Sequence, residues 1–288
     1  MPIPPTYDDF VIAGDVTLHR VQWGTSGPAI VCVHGLTANA FCYQAFADQL
    51  AFDHQVIAYD LRGRGDSDRP EQGYSIPIHA QDLANLIDEL ELDRPIIVGH
   101  SLGALISLNF ASHYPEKLSK LVLIDAGAPL PWKTADEQPL WLKSTAARLT
   151  VVEPSFETYV QKLKNAPYLG EYWNPYIDIY FQHDARTNEE GGFVPKCYIP
   201  ALVEEAQHAD ESHPEEQWAA VQVPTLLMRA GQQLNQPGDQ LLTEEAAKHI
   251  ETAIKDCRYV NYPDLNHYTI MFGVQKGPAD EVRKFIDE

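Results

Sequence analysis

The spacing of apolar positions along this chain changes twice. Over residues 10–23 they alternate with polar ones around Gly14-Asp15, the pattern of two short strands joined by a turn. The alternation then gives way to short continuous apolar runs at 30–33, 56–59, 96–98 and 121–124, as in parallel strands covered on both faces. Between these runs, residues 40–50, 78–92 and 102–114 carry apolar side chains at helical spacing. Strand and helix in turn predict an α/β fold built on a doubly wound, mostly parallel sheet. After Asp125 the pattern stops and resumes only at Val223-Pro224-Thr225-Leu226-Leu227-Met228. A structureless connection of that length would be anomalous inside a compact domain, so a helical insertion is expected over 127–220, set into a core formed by 1–126 and 221–288. Residues 258–262 read as the last strand.

Composition narrows the function classes. With 288 residues, 44% of them hydrophobic, the chain buries a substantial core. Its 41 Asp and Glu against 21 Lys and Arg leave a formal charge of −20, which repels phosphate backbones and anionic membranes and argues against nucleic-acid or membrane partners. The opening Met1-Pro2-Ile3-Pro4-Pro5 has no basic or apolar signal region, and no apolar run approaches a bilayer-spanning length, so a cytoplasmic protein is expected. Cys32, Cys42, Cys197 and Cys257 are scattered and read as reduced structural thiols. His208, Asp210 and His213 are the one compact metal-capable cluster, but their acidic, polar setting reads as a solvated loop. No metal or cofactor is expected.

The chemistry centres on Gly99-His100-Ser101-Leu102-Gly103, which joins an apolar strand run to an apolar helix pattern. A G-x-S-x-G pentapeptide arises by chance in about one chain in ten of this length, so the flanking context is what gives it weight. A strand-to-helix bend lifts a serine hydroxyl clear of the backbone, where a base and an anion-stabilising pocket can reach it. The two glycines are expected to take the strained dihedrals of that bend and to let neighbouring elements pass close. In open α/β sheets, ligands bind beyond the carboxyl ends of the strands, so the segments after each run belong together. After the 30–33 run comes His34-Gly35-Leu36-Thr37, whose glycine lets the Leu36 amide approach a developing oxyanion; the Leu102 amide is the natural second donor. Past the last strand, Asn266-His267-Tyr268 offers His267 as base, since His100, His34, His113 and His249 belong to the elbow, the turn or helical patterns.

Through His34-Gly35, Asp60-Leu61-Arg62-Gly63-Arg64-Gly65-Asp66-Ser67, the elbow and His267, in that order, the chain resembles the α/β-hydrolase fold superfamily over nearly its whole length. The resemblance implies a serine-histidine-acid triad, oxyanion donors at Leu36 and Leu102, and a helical cap. The segment 60–67 reads as a structural loop braced by Arg-Asp pairs. Members of the superfamily usually carry the acid after strand seven; here the first carboxylate there is Asp239, ten residues beyond Arg229. Asp125 instead ends the 121–124 run directly, and is preferred over Asp239, with Asp264 a distant third. Most insertion aromatics, Trp132 among them, read as cap core, while Trp141 and Trp173 are candidates for contact with a small-molecule substrate. The resulting expectation is a serine hydrolase acting on a carboxylic ester or lactone through an acyl-enzyme, active while its histidine is neutral. A carbon-carbon bond hydrolase, an amidase, an acyl transferase or a nonenzymatic receptor would use the same scaffold.

Overall fold

The computed structural model describes residues 1–130, 137, 138, 140–208, 212–234 and 238–288. Strands β1 (Tyr7–Ala13) and β2 (Val16–Trp23) form the opening hairpin, with Gly14 at φ 71° in its turn, where a side chain would be strained. The parallel strands are β3 (Ala29–Val33), β4 (Gln55–Tyr59), β5 (Ile96–His100), β6 (Lys120–Ile124), β9 (Thr225–Ala230) and β10 (Cys257–Tyr262). They join the hairpin in one eight-stranded sheet of order β1-β2-β4-β3-β5-β6-β9-β10, antiparallel only at β1/β2 and β2/β4. Both faces are covered. Helices α1 (Gln44–Leu50) and α10 (Gly277–Asp287) pack into the apolar cluster on one side. Helices α2 (Ile76–Glu89), α3 (Leu102–His113) and α9 (Glu244–Ala253) cover the other. Burial on both faces explains why these strands read as unbroken apolar runs.

Between β6 and β9 lie helices α4 (Leu140–Leu149), α5 (Phe156–Lys164), α6 (Pro175–Asp184), α7 (Ile199–Gln207) and α8 (Pro214–Gln217). A small antiparallel ribbon, β7 (Ala185–Thr187) with β8 (Phe193–Pro195), departs from the all-helical expectation. Tyr159, Leu163, Ile177, Tyr180 and Phe181 from this segment join the same apolar cluster as α1 and α10, so it packs directly on the sheet domain. Trp132 and Asp210 lie outside the described residues, as does the side chain of Trp141.

The segment 60–67 is braced both within itself and, by its Arg-Asp pairing, against residues outside it. Arg62 makes a bidentate pair with Asp82 on α2, both contacts 2.6 Å, and Asp60 accepts from Ala40 N, Asp66 N and the His19 ring. His19 sits between Asp60 and Asp8, each 2.7 Å away. Burial opposes its charge, but those two carboxylates prevail and raise its pKa to about 9. His19, Asp60 and Asp66 are also the group of metal-capable side chains that gathers among the described residues, yet both His19 nitrogens are hydrogen bonded and Asp66 pairs with Lys196. Among the described residues no helix is long and apolar enough to cross a membrane.

Candidate active site

Register brings the candidate residues to one sheet edge. His100 is opposite Ile124, so Ser101 and Asp125 leave adjacent strands side by side, and Ser101 N donates to Ile124 O at 3.1 Å. Asp125 is pinned to the next strand twice, its own N–H bonding Met228 O at 2.7 Å and its Oδ1 accepting from Ala230 N at 2.9 Å. Its Oδ2 lies 2.7 Å from His267 Nδ1, and His267 Nε2 lies 3.0 Å from Ser101 Oγ. A carboxylate can only accept, so Nδ1 carries the ring proton and Nε2 is left to accept from the serine hydroxyl. All three residues are buried. Asp239 is elsewhere: its Oδ1 accepts from Leu234 N at 2.9 Å, on its own loop, and Asp264 is exposed.

The strain of the elbow is not where the glycines are. Ser101 itself takes φ 57°, ψ −122°, and Asp125 takes φ 53°. Gly99 and Gly103 serve close approach instead: a Cβ on Gly103 would stand 2.0 Å from Val33 O, and one on Gly99 2.2 Å from Gly103 O. Beside them Gly35 passes so near that its Cβ would meet Ser101 Cβ at 3.0 Å, so the β3 turn runs against the elbow. Leu36 N and Leu102 N donate to no protein group among the described residues, Leu102 because it opens α3. His34 braces this turn, Nδ1–H donating to Gly35 O at 2.8 Å and Nε2 accepting from Leu61 N at 3.0 Å. Burial lowers its pKa to about 4, which keeps the ring neutral for that pair of bonds.

The loop carrying His267 is held from two sides. His100 Nε2–H donates to His267 O at 3.0 Å, and burial drives the His100 pKa well below its ordinary range, leaving a neutral donor. Asn266 Oδ1 accepts from Tyr268 N and Thr269 N, turning the chain so that the imidazole faces Ser101. Its Nδ2 reaches across to Tyr168 O at 2.8 Å. Tyr268 sets its edge near the His267 ring, stacks on Tyr168 with centroids 5.1 Å apart, and lies 3.4 Å by its hydroxyl from Thr145. Sequence reading missed this aromatic pair, although Tyr268 adjoins His267; nothing local signals that Tyr168, a hundred positions away, meets it. Trp173 packs among residues of the inserted segment. Its N–H bonds Asp178 at 2.6 Å, one face stacks on Phe181 at 5.5 Å, and Lys164 sits over the ring at 5.0 Å.

The model of the alpha/beta hydrolase fold family matches residues 28–274. The chain belongs to that family. N-formylmaleamate deformylase of Pseudomonas putida is 26% identical over 268 residues, 91% of this chain and 94% of the relative. 2-(Acetamidomethylene)succinate hydrolase of Mesorhizobium japonicum is 40% identical over 112 residues, 39% of this chain. The chain spans 36% of the length of the mycobacterial relatives it matches and 40% of that hydrolase. Among solved structures, E-2-(acetamidomethylene)succinate hydrolase superposes with TM-score 0.83 at 25% identity, covering 98% of this chain and 99% of its own. The enol-lactonase of Burkholderia xenovorans shares the fold alone, with TM-score 0.75 at 17% identity over 97% and 100%.

Proposed function

We propose that this alpha/beta hydrolase fold protein is a serine hydrolase that cleaves a carboxylic ester or lactone through an acyl-enzyme on Ser101. The observation that carries the reading is the unbroken relay Ser101 Oγ, His267 Nε2, His267 Nδ1, Asp125 Oδ2, with contacts of 3.0 and 2.7 Å. As Oγ attacks the acyl carbon, His267 takes its proton, and Asp125 holds the tautomer and stabilises the imidazolium. The amides of Leu36 and Leu102 receive the oxyanion, each such donor being worth roughly 3 kcal/mol in the transition state. His267 then protonates the leaving oxygen, and a water activated by the same ring releases the acid and restores the serine. Four free cysteines support a reducing, cytoplasmic setting.

A second reading has specific support: the N-formylmaleamate deformylase and 2-(acetamidomethylene)succinate hydrolase names point to substrates with an amide nitrogen as leaving group. The same relay serves it, with His267 protonating nitrogen. Intact mass after fluorophosphonate treatment tests the shared step: a single adduct on the wild type, absent from Ser101→Ala and strongly slowed in His267→Ala. No adduct on the wild type overturns both readings. Rates on matched short aryl esters and N-formyl amides then separate them, with kcat/KM for the ester expected to be the larger.

A further inference from the structure

Arg64 is fully buried, and its guanidinium spans two parts of the chain. Nε–H donates to Leu36 O at 2.9 Å, and Nη2 pairs with the carboxylate of Glu205 on α7. The other oxygen of Glu205 accepts from His79 Nε2–H at 2.7 Å, so α2 backs the pair. Arg64 and His79 hold the Glu205 carboxyl below its ordinary range although burial pushes it up. Helix α7 is docked on the same loop at further points: Tyr198 N bonds Gly63 O at 2.8 Å, and Glu204 Oε1 accepts from Gly73 N and Tyr74 N at 2.8 and 2.9 Å. Gly63 permits the approach, since its φ is 75° and a Cβ there would stand 3.0 Å from Ala201 Cβ.

Docking α7 does not require a guanidinium that reaches on to Leu36, for Glu204 and Tyr198 already bind the loop through its backbone. The planar fork gives what a point charge cannot, fixed directions to two partners at once. One of them is Leu36, whose amide the proposed function makes an oxyanion donor. We propose that Arg64 is a positioning residue for the oxyanion site: Glu205 on α7 sets the guanidinium, and the guanidinium holds the Leu36 carbonyl, in the peptide that follows the one carrying the Leu36 N–H. His34 steadies the same turn through Gly35 from the core side, so the turn is held by the sheet domain and by the inserted segment together. The inference rests on the reading of Leu36 N–H as an oxyanion donor.

The test is kcat and KM for Arg64→Lys and Glu205→Gln on matched oxo and thiono aryl esters, in which sulfur replaces the carbonyl oxygen and accepts hydrogen bonds weakly. The wild type should favour the oxo ester, with Ser101-dependent turnover. Arg64→Lys, which cannot span both partners, should lose about ten- to a hundredfold in oxo-ester kcat with KM nearly unchanged, and its oxo-to-thiono ratio should shrink by the same factor. Glu205→Gln should lose less, because its amide oxygen still accepts from Nη2. If Arg64→Lys does not fold, His79→Gln carries the test with a smaller shift in the same ratio. Equal losses on both esters, or unchanged kcat, would reduce Arg64 to a fold-holding residue and overturn the proposal alone. A wild type without Ser101-dependent turnover would overturn the acyl-transfer reading, and this inference with it.

Discussion

Replacing Asp125 by asparagine changes one atom and sets two hydrogen bonds against each other. Oδ1 accepts from Ala230 N–H, and Oδ2 accepts from His267 Nδ1–H. An amide has one acceptor oxygen, so it can satisfy only one of these donors. With its oxygen toward Ala230, the NH2 group faces Nδ1, moves the ring proton to Nε2 and removes the acceptor that Ser101 needs. With the amide flipped, the tautomer survives, but two buried donors oppose each other at a cost of about 1–3 kcal/mol, and no negative charge supports the imidazolium. We therefore expect kcat to fall by about 10³ to 10⁴, or about 4–5.5 kcal/mol of transition-state stabilisation, with KM within about threefold. Asp239→Asn keeps an oxygen for Leu234 N and should stay within about threefold of wild type. Initial rates on a p-nitrophenyl ester and the rate of fluorophosphonate adduct formation read both variants. Asp125→Asn within tenfold of wild type, or Asp239→Asn falling as far, would refute the reasoning.

Three further outcomes are expected. Gly103→Ala drives a methyl to 2.0 Å from Val33 O and 2.7 Å from His34 O, both backbone, and should destabilise by roughly 3 kcal/mol or more in urea unfolding; an unshifted midpoint would mean that the β3–α3 contact yields. Ser101→Gly relieves a left-handed φ of 57° and should raise Tm by about 2–4 °C while abolishing turnover, whereas Ser101→Ala, which keeps the strain, should abolish turnover without that gain. His19 is held charged to about pH 9, above its unfolded value, so its contribution of about 3 kcal/mol is complete below pH 6.5 and disappears as pH rises through 9. Stability measured between pH 6 and about 10 should decline over that window, and His19→Gln should flatten the decline; parallel curves would contradict the assignment.

What the chain declares locally, the sequence reading reaches. Apolar runs buried on both faces located the parallel strands, and Gly14-Asp15 located the hairpin, because burial and turn geometry leave marks within a few residues. Ser101 and His267 stand out as candidates for a similar reason, each following a strand run at the end where the sheet gathers ligands, and the fold brings the two within 3.0 Å. Asp125 and Asp239 could not be separated so cleanly, since the choice depends on how the backbone after β9 turns, and that turn ties Asp239 to Leu234. The β7–β8 ribbon has three-residue strands, too short to show a period. Trp173 stands out in the sequence as a large aromatic of the insertion, but its contacts with Phe181 and Asp178 come from packing that periodicity does not encode. The elbow strain was expected at the glycines, yet it is Ser101 that bears it, since the glycines are needed where strands and helix nearly touch.

The imidazole of His267 sits on a tether with two moorings, one at His100 in the elbow and one at Tyr168 in the inserted segment. Anyone trimming that segment to make a smaller, more open catalyst would cut the second mooring, and with it the ring on which Tyr268 rests. A lidless derivative would then gain access and lose aim. Redesign for bulkier substrates is better begun by recontouring the inserted helices in place, with residue 168 and its carbonyl left where they are.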